Sequence, residues 1–469
     1  MVDYRIVIDQ STSATKALLF DTTDQVKLIG RVDKPHQQIY PQKGFVEHDP
    51  IEIIENTKQV IDDLLANYNL IPRKIKSISI TNQRESVVVW DGQTGQPLSN
   101  VMVWQCNRGL SICRQLIKDD YEDLVRSKTG LRLDPYFSGS KLKWFFEQVH
   151  LSDSQRVNLH VGTIDTWLVW NLTDRNRFVT EPSNACRTLL YDIKKQQWDA
   201  DLCQLFDTPL KSLPKVIESD GDFGSYLGIP IVSVLADSQA ALYGHGCAKP
   251  GEIKATLGTG SSLLLNIGQE FQEAEEGILT TIAWKKDEEV VYGQEGIIKS
   301  YGDTLNWVRD QLGLFDSYQA GSDLAFKLKD NEGVYFIPAL EGLTAPFWKP
   351  DIHASFVGLS RNTNFVHFIR AAFESMCYQT RSVIDEYRKV GYAIDEIHMD
   401  GGSIKNPQFM QLLSDIIQTK ILVGNFEELS ALGALLIMKD KIDYQSEVVK
   451  EYVPQRNYDE QYYQWLSYI

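Results

Sequence analysis

Apolar residues follow two different patterns along the chain. Short, mostly apolar runs at 5–8, 16–20, 75–80 and 87–90 predict β-strands. Between residues 50 and 65, apolar positions recur instead with the period of an amphipathic helix. Strands that alternate with helices are typical of proteins in which helices cover the faces of a sheet. The pattern therefore predicts an α/β fold.

A second pattern recurs three times, where a strand-like run ends in a turn rich in glycine, serine or threonine. These turns lie at 9–15, 257–261 and 400–403, and the first two are separated by about half the chain. This recurrence predicts two related halves. We place the boundary at the start of the glycine-containing stretch 244–251, which gives domains at 1–243 and 244–469.

The composition supports a globular protein with at least two domains. The chain has 469 residues, more than one hydrophobic core usually serves. Hydrophobic residues make up 43% and charged residues 23%, which is typical of soluble globular proteins. The formal net charge is −16 and the basic residues are scattered. We therefore expect neither nucleic acid nor an anionic membrane surface as a partner.

Other features predict a cytoplasmic protein. The first residues lead directly into a strand-like run without a signal-peptide pattern, and no apolar run is long enough for membrane insertion. The six cysteines lie far apart, which favours reduced and buried thiols. The eight histidines show no spacing typical of zinc ligands.

The three turns could hold phosphate. A Walker A loop is excluded because no Gly-Lys dipeptide occurs, and no Gly-x-Gly-x-x-Gly motif joins a strand to a helix. The turns would instead offer backbone N–H and hydroxyl donors to phosphate oxygens, and Asp9 could orient a metal-bound water. Each turn taken alone is equally consistent with an ordinary hairpin or strand–helix turn.

Several residues outside the turns have ordinary structural interpretations when each is taken alone. Asp237 precedes a short apolar run and could cap a helix. Arg84 and Glu85 could form a surface ion pair. Trp104 and Tyr136 could belong to the core.

The chain resembles the FGGY carbohydrate kinases over nearly its whole length, and within that family the kinases of glycerol. The resemblance is carried by the three turns and by seven further stretches, which are 44–50 (GFVEHDP), 80–85 (ITNQRE), 103–106 (VWQC), 134–144 (DPYFSGSKLKW), 162–167 (GTIDTW), 236–242 (ADSQAAL) and 354–359 (ASFVGL).

The resemblance implies a fold and a set of site residues. The fold would be a two-domain, actin/hexokinase-like (ribonuclease H-like) α/β fold that closes over an interdomain catalytic cleft. The substrates would be ATP, with Mg²⁺, and a small polyol or sugar. The protein could also form a homodimer. Asp237 would be the catalytic base and Asp9 would lie near the metal. The polyol would contact Arg84, Glu85, Trp104, Tyr136, Asp237, Ser238 and Ser262. The nucleotide would contact Thr12, Ser13, Gly258, Thr259, Gly302, Asn306, Gly402, Ser403 and Asn406.

Two positions depart from the glycerol-kinase pattern. Ser238 replaces a glutamine after the base, and Ser262 replaces a phenylalanine beside the polyol. Losing a buried aromatic contact could cost a small ligand about 1.5–3 kcal/mol. Either the substrate is longer than glycerol and fills the space, or neighbouring residues rebuild the pocket. In the first turn, Ser11 and Lys16 replace a usual glycine and a usual arginine.

Three functions remain open from the sequence. The first is phosphorylation by ATP of a terminal hydroxyl of glycerol or of a related, longer polyol. The second is a ketose or sugar-acid kinase of the same family, acting on a xylulose, ribulose or gluconate type of substrate. The third is a non-catalytic, actin-like switch protein that binds ATP.

Overall fold

The computed structural model describes residues 2–469, which form two large sheets with helices around them. The strands up to residue 236 are β1 Tyr4–Gln10, β2 Ala14–Asp21, β3 Lys27–Pro35, β4 Glu47–His48, β5 Ile75–Asn82, β6 Val87–Asp91, β7 Val101–Met102, β8 Leu159–Thr163, β9 Val179–Thr180, β10 Tyr191–Asp192, β11 Gln197–Trp198, β12 Lys215–Val216, β13 Ser225–Tyr226 and β14 Ile229–Ala236. Those that follow are β15 Ile253–Leu257, β16 Ser261–Gly268, β17 Leu279–Lys286, β18 Glu289–Ile298, β19 Tyr335–Ile337, β20 Ser355–Val357, β21 Glu396–Asp400, β22 Lys420–Gly424 and β23 Val448–Tyr452.

Helices lie between the strands throughout. In order they are α1 Pro50–Asn67, α2 Leu110–Lys118, α3 Glu122–Thr129, α4 Ser138–Gln148, α5 Asp153–Val157, α6 Ile164–Leu172, α7 Pro182–Ala185, α8 Ala200–Leu205, α9 Asp237–Gly244, α10 Gly302–Asp310, α11 Tyr318–Ala325, α12 Phe365–Lys389, α13 Pro407–Ile417, α14 Leu429–Leu436 and α15 Asp459–Leu466. Short 3₁₀ turns occupy Pro72–Lys74, Leu210–Ser212 and Gly402–Lys405.

The two large sheets repeat one arrangement. The first has the strand order β13-β14-β5-β1-β2-β3, and the second has the order β17-β18-β16-β15-β21-β22-β23. Each sheet has a central strand, β1 in the first and β15 in the second. On one side this strand pairs with a parallel strand, β5 or β21, and on the other side with an antiparallel strand, β2 or β16. The predicted α/β class is confirmed, and the repeated arrangement is the one expected of two related halves. Four smaller sheets complete the fold of the described residues, and the largest of them is β4-β7-β6-β8.

The first half shows why these segments form these elements. The apolar run of β1 is buried on both faces, as expected for a central strand with layers on each side. Helix α1 begins at Pro50, and the preceding Asp49 carboxylate accepts a hydrogen bond from Ile51 N at 2.8 Å. Its apolar face packs into the core of the first half. The predicted strands and the predicted helix at 50–65 all occur.

Helices α9 and α14 bring the two halves together. Ala431, Ala434 and Leu435 of α14 pack against β1 and β2 of the first sheet, and Ala240 and Leu242 of α9 pack in a cluster with apolar residues of the second. The two helices touch backbone to backbone, since a Cβ at Gly433 would lie 1.8 Å from the Ala240 carbonyl oxygen. This close approach sets the position of α9, whose first residue is Asp237. Within residues 2–469, no helix combines the length and the apolar character needed to cross a membrane.

We expect Gly433→Ala to destabilise the protein by about 1–3 kcal/mol, because the added methyl group has to push α14 away from α9. The midpoint of urea unfolding checks this. Gly424→Ala is the matched control, since its Cβ would have its nearest neighbour at 3.5 Å, an ordinary contact distance. Equal midpoints for the two variants would contradict the role given to the α9–α14 contact.

Candidate active site

A cavity of about 220 Å³ lies between the two halves and gathers the predicted polyol-binding residues. We call it the polyol cavity after this prediction. Its lining includes Thr12, Arg84, Glu85, Trp104, Tyr136, Asp237, Ser238 and Ser262 from the sequence prediction, together with Lys254, Thr256, Gly260, Ser261, Ile297, Ile298, Lys299 and Ser430. The cavity is therefore built from strand ends and turns of both halves.

Arg84 and Glu85 reach the cavity from a tight turn after β5. Glu85 has a φ of +59°, a left-handed conformation that is uncommon for a residue with a side chain. Neighbouring groups hold it there, since Ser138 Oγ donates to the Glu85 carbonyl oxygen at 2.9 Å and Arg187 Nε donates to Glu85 Oε1 at 2.7 Å. Both side chains are buried, so the alternative of a surface ion pair is wrong.

Asp237 follows β14 directly and is the first residue of α9. Its Oδ1 accepts a hydrogen bond from Ser238 N at 2.6 Å, and no side chain caps the later N–H groups of the helix. Arg84 Nε lies 3.2 Å from the same oxygen, and 42% of the Asp237 side chain stays exposed within the cavity. The carboxylate thus faces open space, as a base requires.

The surroundings of Asp237 raise its pKa to about 6. Removal from bulk solvent by the cavity walls is the largest cause, and Arg84 opposes it, while the Glu85 charge adds to it. Since the side chain still meets water in the open cavity, the shift develops fully when a ligand displaces that water. A carboxylate with this pKa is ionised at neutral pH and is basic enough to accept a proton.

Behind the cavity wall lies a buried charge cluster that the sequence analysis missed. Glu295 Oε1 lies 2.9 Å from Arg84 Nη1, and Glu295 Oε2 lies 2.9 Å from Arg187 Nη2. The second contact is an ion pair without hydrogen-bond geometry. Burial opposes ionisation of Glu295, but Arg187 and Arg84 outweigh it and lower its pKa to about 2. One feature of the sequence could have revealed Glu295. It is the only charged residue in the part of β18 that follows Glu289.

Two aromatic side chains and a lysine close another side of the cavity. The rings of Trp104 and Tyr136 meet edge to face at 5.4 Å, and Trp104 Nε1 donates to Thr12 Oγ1 at 2.9 Å. Lys299 Nζ lies 5.5 Å from the centre of the Tyr136 ring and 3.3 Å from Asp134 Oδ1. Burial raises the pKa of Tyr136 well above its ordinary value, so its hydroxyl keeps its proton and can donate. Lys299, which the sequence analysis also missed, links the two halves at this edge.

A second, larger space of about 460 Å³ lies within the second half, and we call it the nucleotide groove. Its lining includes seven of the nine residues predicted to contact the nucleotide, which are Gly258, Thr259, Gly302, Asn306, Gly402, Ser403 and Asn406. Of the other two, Thr12 lines the polyol cavity instead, and Ser13 lines neither space. Leu305, Phe373, Met376 and Phe409 add apolar surface. Flat apolar walls of this kind suit a purine base.

Glycines make the turns of the groove possible. A Cβ at Gly302 would lie 2.5 Å from the Gly258 carbonyl oxygen, and Gly401 has a φ of +97° against the backbone of Leu257. Gly258 and Thr259 face the groove while Gly260 lines the polyol cavity. One three-residue turn therefore separates the two spaces.

Asp9 and Ser13 lie outside the linings of both spaces. Ser13 is exposed, so the structure does not bring this predicted contact to the groove. Asp9 is mostly buried, and its Oδ2 lies 3.0 Å from Lys16 Nζ, which also lies 3.1 Å from Glu428 Oε2. Burial raises the pKa of Asp9, and Lys16 partly offsets this. Within residues 2–469, no three His, Cys, Asp or Glu side chains gather as a metal site.

Comparison with known protein families covers both halves. The model of the FGGY family of carbohydrate kinases, N-terminal domain, matches residues 4–244, and the model of its C-terminal domain matches residues 253–438.

Individual relatives are similar in sequence to this chain over most of its length. It is 42% identical over 444 residues to glycerol kinase from Desulfitobacterium hafniense, covering 92% of this chain and 90% of that protein. It is 40% identical over 443 residues to glycerol kinase 1 from Thermotoga maritima, with shares of 92% and 90%.

Solved structures share the whole fold. Plasmodium falciparum glycerol kinase with ADP has a TM-score of 0.90 at 32% identity, over 99% of this chain and 96% of that one. Xylulose kinase from Lactobacillus acidophilus has a TM-score of 0.87 at 22% identity, over 99% and 96%, and this likeness concerns the fold alone.

We expect Glu295→Gln to destabilise the protein by about 3–5 kcal/mol, because two buried arginines would lose their shared counter-charge while the shape of the side chain is kept. The midpoint of urea unfolding measures the effect. Glu289→Gln, at the exposed start of the same strand, is the control and should stay within about 0.5 kcal/mol of the parent protein. A Glu295→Gln midpoint equal to that of the control would refute the importance of the cluster.

Proposed function

Because the chain belongs to the FGGY family of carbohydrate kinases, we propose that it transfers the γ-phosphoryl group of ATP to a terminal hydroxyl of glycerol or of a closely related polyol. The family resemblance drawn from the motifs is thereby confirmed. The chain is a phosphotransferase with an alcohol group as acceptor. The observation that carries the proposed substrate class is the position of the Asp237 carboxylate, which shares one cavity with Arg84 and Glu85 beside the 258–260 turn.

In this proposal Asp237 is the general base. Phosphoryl transfer to an alcohol is assisted by a carboxylate that accepts the hydroxyl proton and directs the oxygen at the phosphorus atom. The exposed oxygens of Asp237 face the cavity, and Arg84 holds the side chain from the opposite side at 3.2 Å. Aiming the carboxylate before the substrate arrives reduces the entropic cost of the reaction.

The other cavity residues would bind the polyol. The Arg84 guanidinium donates hydrogen bonds and the Glu85 carboxylate accepts them, so together they can satisfy adjacent hydroxyl groups of one small molecule. The Tyr136 hydroxyl adds a donor. Trp104 adds an apolar surface for the carbon chain.

The nucleotide would lie in the groove of the second half. The backbone N–H groups of Gly258 and Thr259 are suited to phosphate oxygens, and the apolar wall is suited to adenine. Mg²⁺, when bound with ATP, neutralises charge on the phosphates. Mg²⁺ commonly uses one or two carboxylates together with substrate phosphates, so Asp9, with the hydroxyl-rich turn after it, fits a role beside the ion. Lys16 would hold this carboxylate in place from behind.

Location and domain division are part of the proposal. We divide the chain between residues 243 and 244, a choice supported by the first sheet ending at Ala236 and the second beginning at Ile253. We propose a reducing, cytoplasmic location, which is supported by six cysteines that are all unpaired and buried.

Two alternatives use the same fold. A ketose or sugar-acid kinase would need partners for a carbonyl or carboxylate oxygen. A non-catalytic, actin-like ATP-binding protein would have no use for a base facing a hydroxyl-binding pair, so the arrangement of Asp237, Arg84 and Glu85 favours catalysis.

We expect ADP release from ATP to be stimulated by glycerol or a longer polyol, and we expect Asp237→Asn to lower this turnover by about 10²–10⁴-fold because the base is lost. A coupled ADP assay measures both. Asp222→Asn, which changes an exposed acid, is the control. Turnover that no polyol stimulates would refute the proposal and favour the switch protein.

The pKa of Asp237 predicts the acid limit of activity. The base works only when deprotonated, and kcat reports the pKa of the base in the enzyme–substrate complex. We therefore expect kcat to fall below a pH of about 6 and to be about tenfold lower at pH 5 than at pH 7.5. A carboxyl group with the ordinary value of 3.8 would stay almost fully ionised at pH 5. Steady-state kinetics from pH 4.5 to 8 tests this, with thermal unfolding at each pH as the control for acid denaturation.

A further inference from the structure

Four polar side chains form a continuous hydrogen-bonded chain in the wall of the polyol cavity. Lys254 Nζ donates to Ser238 Oγ at 2.7 Å, Ser238 Oγ lies 2.7 Å from Ser262 Oγ, and Ser262 Oγ donates to Glu295 Oε1 at 2.7 Å. Ser238, Ser262 and Lys254 belong to the lining of the cavity, and the side chains of Lys254 and Glu295 are inaccessible to solvent. The proposed mechanism assigns no role to this series of hydrogen bonds.

Glu295 fixes the direction of the hydrogen bonds. Two arginines keep its carboxylate ionised, and an ionised carboxylate can accept hydrogen bonds but not donate them. Ser262 must therefore use its single hydroxyl proton on Glu295, and it accepts from Ser238. Ser238 then has no proton left, and it accepts from Lys254. This order holds whether or not Lys254 is charged, because an amine also donates.

Both serines therefore face the cavity with lone pairs and without a free proton. Each hydroxyl oxygen already takes part in one donated and one accepted bond, and one lone pair remains. A substrate hydroxyl can donate to it. A keto or carboxylate oxygen has lone pairs but no proton to donate. Such a ligand oxygen and the serine oxygen would both stay without a partner, at the cost of a lost hydrogen bond.

Lys254 cannot supply the missing donor. Its Nζ has three acceptors within reach, which are Ser238 Oγ at 2.7 Å, Thr256 Oγ1 at 3.0 Å and the Ser262 carbonyl oxygen at 3.4 Å. These take all N–H groups of the amine or of the ammonium group. No N–H group is left for a substrate carbonyl. The wall formed by the two serines therefore selects ligands that donate.

The serine pair also lies beside the groups that already serve a three-carbon polyol. Under the proposed function the three hydroxyls of glycerol find partners in Asp237, in Tyr136 and in the Arg84–Glu85 pair. Ser262 and Arg84 contact the same oxygen of Glu295, so the serine wall adjoins this set. It offers acceptors to a further hydroxyl group.

We propose that Ser238 and Ser262 are specificity-determining residues that accept a hydrogen bond from a fourth substrate hydroxyl. The substrate class is then sugar alcohols of four or more carbons rather than ketoses or sugar acids. This inference rests on the proposed function and narrows its substrate.

A matched four-carbon series tests the inference on the full chain. kcat/KM is measured with glycerol, erythritol, erythrulose and erythronate at saturating ATP. We expect erythritol to exceed glycerol by about three- to tenfold, the worth of one net hydrogen bond. We expect erythrulose and erythronate to fall at least about tenfold below erythritol.

Variants at Ser262 test whether the serine pair is responsible. Ser262→Ala should reduce the erythritol-to-glycerol ratio of kcat/KM to about one, whereas Ser262→Thr keeps the hydroxyl and should retain most of the preference. Ser127→Ala, at an exposed position of α3, is the control and should leave the ratio unchanged. If the thermal midpoint shows that Ser262→Ala does not fold, Ser238→Ala takes its place.

The outcomes separate the inference from the function it rests on. A parent enzyme that prefers glycerol, erythrulose or erythronate to erythritol would overturn the inference while leaving a working kinase, and a preference for erythronate would point to Lys299 instead. An unchanged ratio in Ser262→Ala would overturn the role of the serine. ADP release that no polyol stimulates would refute the proposed function itself.

Discussion

The structure depends on one buried carboxylate, that of Glu295, which lies between the guanidinium groups of Arg84 and Arg187. Both arginines come from the first half of the chain and the glutamate from the second. Charges removed from water are costly unless they are paired, so the halves are held in the register that brings these three side chains together. Because Arg84 also lies 3.2 Å from Asp237, the contact that aligns the halves also positions the proposed base.

The two ligand spaces follow from this alignment. The polyol cavity forms where strand ends of both halves meet, and the nucleotide groove lies within the second half. The 258–260 turn contributes to both linings, so a phosphoryl group bound at the turn would lie at the border between the two spaces. The α9–α14 contact supports the arrangement from behind, since α9 begins at Asp237 and its last residue, Gly244, meets the backbone of α14.

The sequence predicts the parts of this structure that depend on local patterns. The apolar runs of β1, β2 and β5, the helix after Asp49 and the glycine-rich turns all lie where the sequence predicts them, because burial and turn chemistry act on neighbouring residues. The resemblance to a known family predicted which residues line each space. Thr12 and Ser13 are exceptions, since Thr12 lines the polyol cavity and Ser13 is exposed in the turn between β1 and β2. Their positions follow from how this hairpin pairs with its neighbours.

The sequence did not predict the contacts between distant segments. Glu295 appears in the sequence as one more residue of a strand, and its role emerges when Arg84 and Arg187, far away in the chain, converge on it. The two serines were predicted as small side chains beside the polyol. That they share one directed hydrogen-bonded chain depends on Lys254 and Glu295, whose positions are set by the folded second sheet.

The contrast between the charged cluster and the neutral serines has a consequence for how such a cleft diverges. A substitution at Glu295, Arg84 or Arg187 alone leaves an uncompensated buried charge, so these three positions can change only in concert. Ser238 and Ser262 carry no charge, and exchanging either alters hydrogen bonds at the wall while Glu295 keeps both arginines as ion-pair partners. After gene duplication, single substitutions at the two serines could therefore change which acceptor molecule is phosphorylated. The three charged residues would remain unchanged together.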